Sequence, residues 1–343
     1  MLKKILVILG SILLILGIIF YETVFYLSEQ GYGQIRILAK SESILKVLEN
    51  KALPDSMIHK IKWIQIIRQF AFDSLGLNRN NNYTTFYNQE GKPILWVVTA
   101  SEKYKIVAYK YIFPIAGAFE YKGFFDKKDA IAESNRMQTL GYDTHIGEVQ
   151  AWSTLGYFSD PILSNMLDDN IAELSKTIIH ELTHGTIYVK NNAELSENLA
   201  TFVGEYGAKW FLSCYFGKNS VAYKNFENEL TDKDLYTIHF LRGIQQLDSL
   251  YQTFEKIDDT KKKDSLKVSF IEKIIQKADT LPFYNKTRFR VLRNSKNLPN
   301  NAWFSGFKTY RNDLKNIQKD FETKFNSDFK KFLLYLKNNH SSL

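Results

Sequence analysis

The sequence predicts an α+β fold, mainly helical, with a small β-sheet ahead of a helical remainder. Three observations carry this. Apolar residues recur at helical spacing from Tyr26 to Leu75, Val, Ile, Phe, Tyr and Trp crowd between Ile94 and Trp152, and helical periodicity returns from Leu163 onward. With 343 residues, 45% of them apolar and 15% aromatic, the chain can fill a sizeable core.

Taken in order, Ile35, Leu38, Ile44, Leu45 and Leu48, then Ile61, Ile64, Ile67 and Phe70, mark a helical stalk or first helical layer. Leu53-Pro54-Asp55-Ser56 interrupts it, because proline disfavours helix at the residue before it and opens the next helix well. The asparagine-rich stretch from Gly76 to Asn82 reads as a loop. Strands are expected at Ile94–Thr99, Ile106–Val107 and Tyr111–Tyr121, a helix at Asp126–Leu140 ended by Gly141, and a strand at Thr144–Trp152. Strand, helix and strand at this spacing give a small sheet covered on one face.

After a turn at Asp160-Pro161, one helix is expected from Leu163 to Val189 and another from about Leu195 to Phe216, the latter with Leu199, Val203, Tyr206 and Trp210 on one stripe. Beyond it the chain is helical and charged, with loops expected at Asp258–Asp264 and Asn297–Asn301. The implied divisions are 1–25, an N-terminal anchor; 26–82, the helical layer; 83–217, a core with the sheet and two long helices; and 218–343, a helical part packing against the site.

The 45 basic and 37 acidic residues leave a formal +8, but the lysines are spread along the chain and no nucleic-acid motif accompanies them, so nucleic acid is not an expected partner. Cys214 is the single cysteine. It closes no bridge within the chain and builds no thiolate metal site, so any metal must be held by His, Asp or Glu.

Lys3 and Lys4 precede an uncharged run from Ile5 to Tyr21, ended by Glu22. Seventeen residues is the short end of the roughly 17 to 25 a membrane-spanning helix needs, and Leu2 can extend it. No small-x-small cleavage site and no lipid-attachment cysteine follows, which favours an uncleaved signal anchor over a cleaved signal. The two lysines then stay in the cytoplasm and the chain beyond Tyr21 is extracytoplasmic, on the periplasmic side of the inner membrane in a diderm bacterium.

His180-Glu181-Leu182-Thr183-His184 is an HExxH pattern. Histidines four apart on a helix lie one turn apart on the same face and can share one zinc ion. Glu181 is rotated just off that face, where it can hold a metal-bound water and take its proton. Ile171, Leu174, Ile178 and Leu182 give this helix an apolar face that would fix the site against the core.

A catalytic zinc needs a third protein ligand, for which Glu194, Glu197 and Glu205 are the nearby acids. Glu197 is preferred because Ala200, Thr201 and Gly204 lie on its side of the second helix and let the two helices approach closely. Glu194 reads as a loop or capping acid. Glu205, eight residues on and about 80° away around the helix, reads as a partner of a ligand histidine or a surface acid.

These residues resemble a family of bacterial predicted zinc aminopeptidases anchored to the membrane by lipid or helix. The resemblance lies in His180-Glu-Leu-Thr-His184, Ile187-Tyr-Val-Lys190 and Glu197-Asn-Leu-Ala-Thr-Phe-Val-Gly204, and extends to Phe113-Pro-Ile-Ala-Gly117, Tyr121-Lys-Gly-Phe124, Ser153-Thr-Leu-Gly-Tyr-Phe158 with Asp160-Pro161, and Asn300-Asn-Ala302. The chain departs from the family at Ser196, where Asn is usual, at Gly185, where Gln is usual, and in having no lipid-attachment cysteine.

The resemblance implies a zincin-like fold of the gluzincin type, with a sheet whose edge strand lies beside the HExxH helix, and the acid of the ExxA segment, Glu197 here, as third zinc ligand. It also implies hydrolysis of peptides by an aminopeptidase. A zinc endopeptidase and a catalytically silent, membrane-anchored envelope scaffold are the alternatives. Tyr310, close after Asn300-Asn-Ala302, is the candidate donor to the oxyanion, since a phenol is chemically suited to that task. His145 and His239 have no metal-ligand spacing to anything nearby and read as structural. Oligomeric state is not legible in the sequence.

Overall fold

A computed structural model describes residues 21–50, 53–113, 117–149, 159–190, 192–289, 298–309 and 314–340. The apolar run from Ile5 lies outside these residues except for Tyr21, which begins the first described helix. Among the described residues no helix is long and apolar enough to cross a membrane.

The chain is mainly helical with small sheets, an α+β arrangement. It opens with α1 (Tyr21–Lys40), β1 (Glu42–Ser43), α2 (Ile44–Asn50) and α3 (Asp55–Asp73), and continues through β2 (Thr85–Tyr87), β3 (Leu95–Ser101), β4 (Tyr111–Phe113), β5 (Gly117–Phe119) and β6 (Tyr121–Phe124). Then come α4 (Lys127–Thr139), β7 (Asp143–Val149), β8 (Ile162–Leu163), α5 (Ile171–His184), α6 (Ala193–Tyr215) and α7 (Val221–Gln252). The described chain closes with α8 (Thr260–Ala278), the short α9 (Lys286–Phe289), α10 (Asn301–Thr309), α11 (Leu314–Phe325) and α12 (Phe329–Asn339).

The main sheet is antiparallel in the order β6-β3-β7, with Val97 opposite Gly123 on one side and Gly147 on the other. Helix α4 covers one face, where Val98, Phe124 and Ala130 form a small core. This helix starts where Asp126 accepts a hydrogen bond from the Lys128 N–H, and stops before Gly141, whose φ of 88° favours glycine. A second small sheet, β1-β2-β8, brings the first helical layer against the segment that leads into α5.

The largest core gathers around α3, α5 and α6, with Ile61, Ile64, Ile67, Ile178, Leu182 and Phe211 fully buried. Ile37 of α1 and Ile44 and Val47 of α2 belong to this same core. Helices α11 and α12 close the outer side of α6, where Tyr206 stacks on Phe329 at 4.8 Å. Helices α7, α8 and α10 surround a second core at Phe240, Leu247, Ile271 and Phe304.

Four sequence expectations need correction. The helix expected over Leu163–Val189 is shorter: Ile162 and Leu163 pair with β2, a 3-10 turn spans Ser164–Asp168, and the helix runs only over Ile171–His184. Asn170 sets its start by accepting from the N–H groups of Ala172 and Glu173. The loop expected at Asp258–Asp264 is the start of α8, capped by the Asp259 carboxylate accepting from the Lys261 and Lys262 N–H groups. The strand expected at Tyr111–Tyr121 is three short strands, β4, β5 and the start of β6. Ile106–Val107 lies outside the strands, with only a single bridge at Ala108.

Candidate active site

Helices α5 and α6 cross at very short range, and glycine is the reason. A Cβ on Gly204 would stand 2.9 Å from the Lys176 carbonyl and 3.0 Å from the His180 Cβ, and one on Gly207 would stand 3.0 Å from the Ile179 side chain. The connection between the helices is pinned at both ends. Thr186 Oγ1 accepts from the Asn78 N–H at 3.0 Å, and Ser196 Oγ accepts from the Val189 N–H at 2.9 Å. Asn192 then caps α6 through the Leu195 N–H.

This crossing brings three polar side chains to one point. His180 Nε2 and His184 Nε2 are 3.3 Å apart, Glu197 Oε2 is 3.4 Å from the first, and Glu197 Oε1 is 3.5 Å from the second. Ligands about 2.0–2.1 Å from a tetrahedral ion stand roughly 3.3–3.4 Å from one another, so these spacings match one face of such a site. Two imidazole nitrogens and a carboxylate are also a donor set that suits zinc. Among the described residues, His180, His184 and Glu197 are the one group of three His, Cys, Asp or Glu side chains close enough to hold a metal ion together.

Burial and mutual charge set the protonation of the three groups. Burial and the neighbouring His180 push His184 down to about 4, against the pull of Glu197, so its imidazole is neutral near pH 7. Burial opposes charge on His180 as well, but hydrogen bonding to Glu197 and the charges of Glu181 and Glu197 outweigh it and raise its pKa. On Glu197 burial is outweighed in turn by the two histidines, which hold it below the usual carboxylate range.

Glu181 sits beside this group, 9% exposed, on the wall of a cleft of about 600 Å³. Burial lifts its pKa to about 7, His180 pulls it back, and the charges of Glu197 and Asp160 add to the rise. A carboxyl held near neutrality can both take and return a proton. Val149 of β7, Thr177 and His180 of α5, and Thr201 and Glu205 of α6 share the cleft wall with Glu181. The end of an edge strand of the main sheet therefore flanks the same opening as the HExxH helix.

Other expectations fall elsewhere. Glu194 lies within the first turn of α6, where its carbonyl accepts from Asn198 Nδ2, and is no part of the three-residue group. Glu205 lines the cleft, and the buried Nδ1 of His184 has no hydrogen-bond partner. His239 reaches the Ile274 carbonyl at 2.7 Å. Tyr310 and Ser153–Phe158 lie outside the described residues.

Two features of the site escaped the sequence reading. Glu173 accepts from Lys176 Nζ at 2.5 Å and from Lys233 Nζ of α7 at 3.3 Å, a buried network along the same cleft. Spacing on α5 gives Glu173 and Lys176 away as an i, i+3 pair, but Lys233 arrives from 57 residues later and leaves no local signal. Tyr83 is 1% exposed at a φ of 62°, and its phenol, raised by burial and by the charges of Glu181 and Asp160, has no hydrogen-bond partner. Its backbone is held by the Asp160 carbonyl, which accepts from the Tyr83 N–H at 2.6 Å.

The family model described as "Putative aminopeptidase" matches residues 25–340, nearly the whole chain. No curated protein and no solved structure matches it.

Proposed function

The chain belongs to the family described as "Putative aminopeptidase", and from that premise we propose that it is a zinc-dependent peptidase, acting on the amino-terminal end of peptides, with a zincin-like active site. The observation that carries the proposal is the convergence of His180, His184 and Glu197, at separations of 3.3–3.5 Å, beside the buried carboxyl of Glu181.

His180 and His184 would hold one zinc ion through Nε2 and Glu197 would hold it through its carboxylate. When bound, zinc supplies a Lewis acid that acidifies water to a pKa of about 7 and polarises a carbonyl. Glu181 would carry the proton that passes from water to the leaving nitrogen. It takes that proton from the attacking water as the new C–O bond forms, and returns it to the leaving nitrogen as the C–N bond breaks. The neutral form of His184 and the carboxylate form of Glu197 are the forms a cation needs; burial and His180 favour the first, and the two histidines favour the second against burial.

The apolar run from Ile5 to Tyr21 would anchor the chain, leaving the cleft on the extracytoplasmic side. Purified full-length protein tests the chemistry: metal analysis is expected to return one zinc per chain, and peptides with a free amino terminus to be cleaved one residue at a time. Amino-terminally blocked peptides cleaved equally well would point instead to an endopeptidase. A folded, zinc-free protein would sink the enzyme reading.

A further inference from the structure

The cleft that holds Glu181 is charged against the rest of the molecule. Besides Glu181, helix α5 and the turn before it bring Asp168, Asp169 and Glu173 to the wall, β7 brings Glu148 and α6 brings Glu205. Lys176 and Lys233 are the lysines among these wall residues. Five acids against two lysines leave a formal −3 there, in a chain whose formal charge is +8. A zinc ion would not reverse that sign, because Glu181 and Glu197 match its two charges. A cleft lined by one sign of charge focuses the field and gathers ligands of the other sign.

The two lysines are engaged already. Both bond Glu173, and Lys233 also meets Glu229 at 3.4 Å. Burial opposes the charge on Lys176, but the charges of Glu173 and, less strongly, Glu205 outweigh it and raise its pKa, so Glu205 stands within electrostatic reach of this network. Near the metal group, Glu181 is nine-tenths buried on the wall of the same cleft, and no hydrogen bond joins it to another described residue. A buried carboxyl of that kind calls for a partner that enters from outside.

Glu197 faces His180 and His184 while Gly204 faces Lys176 and His180, so α5 and α6 run in opposite directions. Glu205 of α6 therefore falls on the same side of the metal group as Lys176 and Glu173 of α5. It lies eight residues beyond Glu197, about 12 Å along the helix, and Glu173 lies seven before His180, about 10 Å. The α-ammonium of a bound peptide is two bonds from the carbonyl carbon under attack, too near the metal group to meet those acids. An amino-terminal lysine can meet them, because its four-carbon stem carries the ammonium about 6 Å beyond Cα. Such a residue also brings two positive charges into the acidic cleft.

Resting on the peptidase reading above, we propose that the cleft selects peptides whose amino-terminal residue is lysine or arginine, and that Glu205 is the carboxylate that receives the side-chain cation. Glu148 and Asp168, both exposed to solvent, add to the field that draws the cation in.

Zinc-loaded full-length protein tests this with lysyl, arginyl, norleucyl and glutamyl amides of one leaving group. Lysyl and arginyl kcat/KM are expected to exceed norleucyl by at least about tenfold, the worth of one bond to a charged group, with glutamyl the poorest. Glu205→Gln should lower the lysyl-to-norleucyl ratio at least about fivefold, Glu205→Asp should keep most of it, and added salt should lower it in the wild type. Calorimetry needs no turnover: lysinamide should bind at least about tenfold tighter than norleucinamide. Equal kcat/KM for lysyl and norleucyl amides overturns the proposal and leaves the peptidase standing. A lysyl preference that survives in folded Glu205→Gln, or is lost in Glu205→Asp as fully as in Glu205→Gln, overturns Glu205 as the receiver. Tighter binding of lysinamide by a protein that cleaves none of the amides overturns the peptidase reading and keeps the cation site.

Discussion

Two polar clusters sit on α5, around Glu173 and around His180 about two turns further on, and they differ in one respect. Around Glu173 each charge has an opposite: Lys176 and Lys233 both bond it, and Lys233 also lies 3.4 Å from Glu229. Around His180 there is one carboxylate for two imidazoles and, among the described residues, no lysine or arginine paired with them: the two Nε2 atoms are 3.3 Å apart and Glu197 lies across both. The first cluster is complete as protein. The second is a set of groups that could hold a metal ion together, and this difference separates a structural network from a candidate metal site on the same helix.

The sharpest way to break the comparison is to remove a member of each. His184→Ala is expected to abolish both zinc binding and hydrolysis, measured by metal analysis and by amide turnover, because two remaining ligands do not make a catalytic zinc site. Retained stoichiometric zinc in that variant would mean the metal sits elsewhere. Glu181→Gln should keep zinc and lower kcat by about 10²- to 10⁴-fold, the usual worth of a general base. In the wild type, kcat/KM should fall as pH drops through the Glu181 pKa, about 7 without a cation and lower beside one, since the base form exists only above it. The glutamine variant should lose that acid limb.

Glu173→Gln should do the reverse, sparing zinc while costing stability of about 3–5 kcal/mol, because it leaves buried lysines without their shared carboxylate. Burial works against the Glu173 charge, but Lys176 and Lys233 overcome it and hold its pKa well below the ordinary range. Its contribution is therefore present above the unfolded carboxylate pKa and disappears as pH falls through the folded one, so the two proteins should converge in strong acid during denaturant titrations. The smallest effect is expected at the crossing: Gly204→Val forces α5 and α6 apart and should cost about 1–3 kcal/mol. A smaller loss of zinc affinity should accompany it, readable by competition with a chelator.

How legible these features were depended on their range. His180, Glu181 and His184 sit within one turn, so helical spacing alone aligns them. Glu197 needed a further inference, from the small residues on its helix face, and Gly204 is where the two backbones approach. The boundaries of α4 and the break at Pro54 follow from local caps and proline chemistry. What stayed hidden is non-local: the pairing of Ile162 and Leu163 with β2, which shortens the helix expected there, and Lys233 reaching back to Glu173. The loop expected at Asp258–Asp264 failed for another reason. A lysine-rich run reads as solvated, yet lysine is a good helix former and Asp259 supplies the cap.

The most direct test of the account is the zinc content of three purified full-length proteins: wild type, Glu197→Ala and Glu194→Ala. The account predicts one zinc per chain in the wild type and in Glu194→Ala, and loss of it in Glu197→Ala with the fold preserved by circular dichroism. A folded wild-type chain without zinc, or a Glu197→Ala chain that keeps it while Glu194→Ala does not, would contradict the claim.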